Sequence, residues 1–272
     1  MSENKKIGFV GGGMVAEAII RGLILHGHDA SKLFVSDPSD SRRDILSILN
    51  KQLNVLSDNQ SLASEVDIMI MAIKPQIFSG VASNIDLEQV ANNPMIISVA
   101  AGIQMKTMKD LFGQDKKICR VMPNTPCLVG RGVSTLIQSN LNESDIVMAT
   151  YIFNSVGKTI WIQEEEWMHT VTAVSGSGPA YFFHMMHILK NAACKAGIPE
   201  EIAETLSIQT AIGSSQLALN SADDLIALKK KVMSPGGTTE AAFDSLEKNK
   251  LDDIWDEAIN AARQRSVDLG KD

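Results

Sequence analysis

IGFVGGGMVAEAI, from Ile7 to Ile19, decides how the chain begins to fold. An apolar run ends in three glycines, and apolar residues at helical spacing follow until Gly27. Gly11-Gly12-Gly13-Met14-Val15-Ala16 fits G-x-G-x-x-A between a strand and a helix, the context that gives this pattern meaning. Gly11 admits a tight turn, Gly13 lets a pyrophosphate approach the backbone, and Ala16 lets the helix pack close to the strand. The helix start at Met14 and Val15 then offers unpaired N–H groups and a dipole to the anion. A tight turn without a ligand is the plainer alternative.

Further along, KLFVS, VDIMIMAI, PMIISVAAG, KKICRVMP, GVSTLIQS and GKTIWIQ read as strands, with helical runs among them. That alternation predicts an α/β fold with a doubly wound parallel sheet over residues 1–163. The character changes at Glu164. Residues 164–272 carry helical periodicity and almost no strand signal, so an all-α domain is expected. Its first long helix is broken at Ser175-Gly176-Ser177-Gly178-Pro179 and stops at Gly197. The break is a kink on its own terms, and also a place for close approach of a ligand or second backbone.

The 272 residues carry a net charge of −7, which argues against a nucleic-acid surface and against binding to anionic membranes. No apolar run reaches the length of a membrane span. The opening MSENKK is polar and shows no secretory pattern. Cys119, Cys127 and Cys194 form no CxxC and no paired pattern, which fits a reducing cytoplasm.

After the second strand comes Ser36-Asp37-Pro38-Ser39, with Arg42 and Arg43 one turn further on. An acid here grips a ribose 2′-hydroxyl and repels a 2′-phosphate, whereas the serines and arginines suit the phosphate. NADPH is expected if Asp37 turns away, and NADH remains possible. Near the end, VMSPGGTTEAAFDSLE (Val232 to Glu247) leads into a helix. It reads as a helix cap through Ser234 or Thr238, as an anion cradle of backbone N–H groups, or as both.

IGFVGGGMVAEAI, AIKPQ, RVMPNTPCLVGRG, VSGSGPAYFF and SPGGTTEAAFDSLE occur in that order and together resemble the Δ1-pyrroline-5-carboxylate reductase family, from Ile7 to about Ala262. Met14 and Val15 depart from the Asn-Met usual there. The resemblance implies a Rossmann domain followed by a helical substrate-binding domain that interlocks into a homodimer, with dimers often forming rings. It implies reduction of a small cyclic imine to L-proline by NAD(P)H. Cofactor contacts implied are Gly11, Gly13, Met14, Val15, Ser36, Asn59, Ala72, Lys74, Pro75, Ala100 and Gly102, with Ala101 beside the last two. Met122, Pro123 and Asn124 match the domain junction. Ser234, Gly236, Gly237 and Thr238 match the substrate loop, with Ser175 and Gly176 also by the substrate. Thr239 matches the threonine whose hydroxyl meets the ring nitrogen. N–H groups of Gly236, Gly237 and Thr238 are expected to hold the substrate carboxylate.

No metal is expected: His184 and His187 share a helical face without a third ligand nearby. Glu164 to Glu166 read as the complement of a helix N-terminus, and Lys229 to Lys231 as a solvated turn. A β-hydroxyacid dehydrogenase shares the general plan but calls for a catalytic lysine, for which Lys190 and Lys195 lack a glycine-rich setting. A catalytically idle dinucleotide sensor has no use for SPGGTT.

Overall fold

The computed structural model describes residues 5–270, so the first four residues of MSENKK and the last two of the chain lie outside it. In chain order the elements begin β1 (Ile7–Val10), α1 (Met14–Leu25), β2 (Leu33–Ser36), α2 (Asp40–Leu49), β3 (Asn54–Leu56), α3 (Asn59–Glu65), β4 (Ile68–Met71) and α4 (Pro75–Ala82). They continue with β5 (Met95–Ser98), α5 (Met105–Phe112), β6 (Ile118–Met122), β7 (Gly132–Ser139), α6 (Glu143–Asn154) and β8 (Gly157–Trp161). Helices follow: α7 (Trp167–Val171), α8 (Gly178–Lys195), α9 (Glu200–Asn220), α10 (Leu225–Val232), α11 (Thr238–Lys248) and α12 (Leu251–Leu269).

One sheet runs in the order β3-β2-β1-β4-β5-β6-β7-β8. Pairing is parallel from β3 through to β6, and the order reverses direction between β1 and β4. Ligands of open α/β sheets bind outside the carboxyl ends of the strands at such a switch point. Side-chain alternation shows why both faces are covered. In β4, Ile68 and Ile70 join one buried core, while Met69 and Met71 join the other. A strand buried on both sides reads as an unbroken apolar run, as VDIMIMAI does. Truncating such a residue, Ile70→Ala for example, costs about 2–5 kcal/mol.

Two features depart from the sequence reading. β3 is an eighth strand of three residues at the sheet edge, too short to show a period. β7 runs antiparallel to β6. Only a short turn containing a 3₁₀ segment, Thr125–Val129, joins them, and a parallel return needs a longer crossover.

By contact the described residues divide into two compact units, 5–177 with 262–270, and Gly178–Ala261. The change in sequence character at Glu164 and the change in packing at Ser177 are therefore separate. The segment after β8 turns helical but still packs on the sheet unit: Met168 is fully buried in the second core.

Candidate active site

The glycine turn connects β1 to α1. Gly11 has φ +93, and a side chain there would meet the Ala72 carbonyl oxygen at 2.7 Å. Its N–H donates to Ser36 O at 2.8 Å, which ties the turn to the end of β2. Gly13 is the N-cap of α1, with no side-chain cap and nothing within 4 Å of where a side chain would start. The first-turn N–H groups, those of Met14 and Val15 among them, lack partners within the helix. An open helix start beside a backbone without side chains fits a pyrophosphate.

The 2′-end is arranged differently from expectation. Asp37 does not turn away: Oδ2 accepts from Gly12 N and Oδ1 from Ser39 N, each at 3.0 Å. Ser36 is fully buried, and its hydroxyl donates to Asn59 Oδ1 at 2.7 Å. The hydroxyl of Ser36, an expected phosphate contact, is directed inward to Asn59. Arg42 donates through Nε to Gly12 O and through Nη2 to Glu17 Oε2 at 2.5 Å. Hydrogen bonding from Arg42 holds the Glu17 carboxyl below its usual value, with Arg21 adding to the effect. Arg43 donates to Asp37 O at 2.8 Å and pairs with Asp40. Asp37, Arg42 and Arg43 thus form a shell around the turn, while Ser39 caps α2.

The other cofactor positions lie after the ends of neighbouring strands. Ala72 follows β4, its N–H donating to Val10 O at 2.8 Å. Lys74 is the N-cap of α4 and Pro75 its first residue. Ala100 and Gly102 follow β5; Ala100 is buried, and Gly102 has φ +82. The eleven expected positions therefore fall at the carboxyl edge of the sheet, ten in turns or at helix starts and Ser36 at the end of β2.

Glu165 fixes the start of α5. Its Oε1 accepts from Met105 N at 2.7 Å and from Arg120 at 2.5 Å, and the Arg120 side chain is almost wholly buried. The glutamate complements a helix N-terminus, but that of α5 rather than of its own helix. Ser175 and Gly176 lie in a π-helical turn, Thr172–Gly176, between α7 and α8. Such turns are rare and frequent at functional sites. A side chain at Gly176 would run into Met122. Asn124 links the same places, its Nδ2 donating to Ser175 O at 3.1 Å and its Oδ1 accepting from Val133 N at 2.9 Å.

In the second unit, Ser234–Gly237 forms a turn closed by Gly237 N donating to Ser234 O at 2.9 Å. Gly237 is the N-cap of α11, and no side chain caps the helix, so the expected cap by Ser234 or Thr238 is corrected. The expected carboxylate cradle is narrower too. Gly236 N donates to Glu240 Oε2 at 2.6 Å, so both glycine N–H groups already have partners. Thr238 and Thr239 at the helix start have no partner there for theirs. Glu240 was legible as the N3 residue of a capping pattern.

Lys229 to Lys231 lie in α10, not in a turn. Lys229 sits 3.8 Å from the centre of the Phe243 ring and 3.7 Å from Glu247, and Lys231 pairs with Asp223. Lys190 lies 2.8 Å from Glu200, whose hydrogen bond holds its pKa above the usual value, the opposite of a tuned base. Burial pushes the Cys119 and Cys127 thiols up. His187 Nε2 is 2.9 Å from Asn191 Nδ2. Among the described residues no three His, Cys, Asp or Glu side chains gather as a metal site. No described helix is long and apolar enough to cross a membrane.

Residues 165–269 match the family model described as pyrroline-5-carboxylate reductase dimerisation, and residues 6–102 that described as NADP oxidoreductase, coenzyme F420-dependent. Pyrroline-5-carboxylate reductase of Pasteurella multocida is 36% identical, with 98% of each chain covered. That of Synechocystis is 38% identical, again over 98% of each. Among solved structures, the Coxiella burnetii pyrroline-5-carboxylate reductase superposes with a TM-score of 0.92 at 33% identity, covering 98% of this chain and 99% of that one. The Plasmodium falciparum pyrroline carboxylate reductase with NADP bound gives 0.86 at 34% identity and the same coverage.

Proposed function

The chain belongs to the pyrroline-5-carboxylate reductase family, and from that premise we propose how its own residues carry the reaction. It reduces the cyclic imine 1-pyrroline-5-carboxylate to L-proline with NAD(P)H, the final step of proline synthesis, and its cofactor is NADP(H). The dinucleotide, when bound, supplies the hydride.

The observation that carries the substrate assignment is the start of α11. No side chain caps it, while Thr238 and Thr239 keep N–H groups free of helix partners. These hold the substrate carboxylate, with Ser234, Gly236 and Gly237 shaping the turn around it. The Thr239 hydroxyl makes no hydrogen bond to other described residues and is half-buried. It meets the ring nitrogen, donating to the neutral imine and accepting from the iminium or the amine. Ser175 and Gly176 lie by the substrate, a reading supported by their place in a π-helical turn.

Gly11, Gly13, Met14 and Val15 hold the pyrophosphate, which the open space at Gly13 supports. Asn59 serves the adenosine ribose and Ser36 positions Asn59 through its hydroxyl. Ala72, Lys74, Pro75, Ala100 and Gly102 flank the cofactor. Catalysis then rests on orientation, carboxylate anchoring and a polarised nitrogen.

The helical domain self-associates. We assign dimers to a ring and the enzyme to the cytoplasm, where its three free cysteines stay reduced. Oxidation of NADPH and of NADH, each assayed with pyrroline-5-carboxylate, tests the function. No imine-dependent oxidation with either cofactor overturns it.

A further inference from the structure

The turn before α11 is held from inside by one of the helix's own carboxylates. Glu240 stands three residues after the N-cap Gly237. From that position a capping-box glutamate reaches back to the N–H of the N-cap residue. Here Glu240 reaches one residue further, into the turn, where Oε2 accepts from Gly236 N at 2.6 Å. The turn has the type II pattern: Pro235 in second place, Gly236 at φ +68 in third, and Gly237 N donating to Ser234 O at 2.9 Å.

Packing does little for this turn. Ser234, Pro235 and Gly236 are exposed, and nothing lies within 4 Å of where a Gly236 side chain would begin. Its hydrogen-bonded restraints are the Ser234–Gly237 closure and the Glu240 carboxylate. A carboxylate so placed could compete with the substrate's own or could brace the loop. The geometry favours the brace. Glu240 takes the Gly236 N–H, and the N–H groups of Thr238 and Thr239 remain without partners in the helix.

We infer that Glu240 is a positioning residue for the substrate: it fixes Gly236 so that the turn presents Thr238 and Thr239 in one arrangement before the carboxylate arrives. The inference rests on the assignment of Ser234 to Thr239 to the substrate. A loop already ordered loses less freedom on binding, so removing the brace weakens substrate binding without slowing the chemistry.

Three variants of the full chain separate the outcomes. Glu240→Ala loses the acceptor, Glu240→Asp keeps the charge but loses the reach, and Glu240→Gln keeps an acceptor at full reach. Ala and Asp are expected to raise KM for the imine about tenfold, as loss of one charge-assisted hydrogen bond allows. In both, kcat and the KM for NADPH hold, and solvent exchange of the Gly236 amide speeds up about tenfold. Gln keeps a neutral acceptor at full reach and is expected to fall between wild type and the other two in each of these. An imine KM in Ala and Asp equal to or below wild type overturns the inference, as does unchanged Gly236 exchange. Should Glu240→Ala not fold, the contrast of Asp with Gln decides. Failure of the underlying substrate assignment looks different: Thr239→Val then leaves the kinetics untouched, whatever Glu240 does.

Discussion

Arg42 Nη2 lies 2.5 Å from Glu17 Oε2, so the first and second helices are joined by an ion pair beside the glycine turn. The pair holds the Glu17 carboxyl below its usual value of 4.5, the Arg42 hydrogen bond being the largest cause. A depressed carboxyl pKa means that the folded state binds its proton less tightly than the unfolded chain does. Stability from this source is present above the usual value and is lost as pH falls through the depressed one. The wild-type melting temperature should therefore fall more steeply on acidification below 4.5 than that of Glu17→Gln. Thermal melts across this range check it, and equal slopes refute it.

The same pair bears on cofactor choice. Glu17 and the Gly12 carbonyl occupy the Arg42 guanidinium, and Asp37 stays against the turn. If NADPH draws on Arg42 and Arg43, it does so against these local partners. Replacing both arginines by alanine should raise the KM for NADPH about tenfold, the loss of roughly one charge-assisted contact. The KM for NADH should rise less. Glu17→Gln, which frees Arg42, should lower the KM for NADPH. An equal effect on both cofactors in the double variant sinks the idea.

The sheet was legible in the chain because its signals are local. Apolar runs, glycines and helix periods gave seven strands and the βαβ start. β3 escaped because Asn54-Val55-Leu56 is too short to show a period. The direction of β7 was implicit in the short link from Met122 to Gly132, which the strand runs alone do not reveal. At the site, residue types marked the turns, but side-chain directions did not follow from them. Ser36 looked like a phosphate contact and faces inward to Asn59. Glu165 acts on Met105 and Arg120, far away in the chain, and no pattern of spacing encodes such a pairing.

Asn124 should matter to stability and to the π turn together. Its amide satisfies the Ser175 carbonyl and the Val133 N–H at once. Asn124→Ala leaves both without that partner and should destabilise the fold by about 1–3 kcal/mol. Denaturant unfolding measures this. A variant as stable as wild type means that water replaces the amide and that the link does not hold the turn.

Self-association should be needed for stability. Phe182 and Phe183 on α8 are 65% and 64% exposed, and Leu206 and Ile212 on α9 are exposed too. A monomer seldom exposes so many large apolar side chains on two neighbouring helices. Phe183→Asp should dissociate the assembly at micromolar concentration and abolish activity with it. Sedimentation of the wild type as a stable, active monomer rules the prediction out.

Thr239 and Gly237 test the substrate turn. If the Thr239 hydroxyl holds the ring nitrogen, Thr239→Val keeps shape and branching but removes a hydrogen bond to a nitrogen that changes charge. Such a bond is worth about 1.5–3 kcal/mol, or roughly ten- to 150-fold in kcat/KM. Since no side chain caps α11, the melting temperature should hardly move. Gly237→Ala acts by another route. A side chain there would stand 2.9 Å from the Ser234 carbonyl oxygen, so the turn must open. That displaces the neighbouring N–H groups and should chiefly raise the KM for the imine, leaving NADPH binding as it was. A capping threonine predicts the reverse pattern, about 1 kcal/mol of lost stability with intact kinetics. Melting curves and steady-state kinetics on both variants distinguish the two. If Thr239→Val melts early yet reduces the imine at the wild-type rate, the hydroxyl caps the helix and some other group holds the nitrogen.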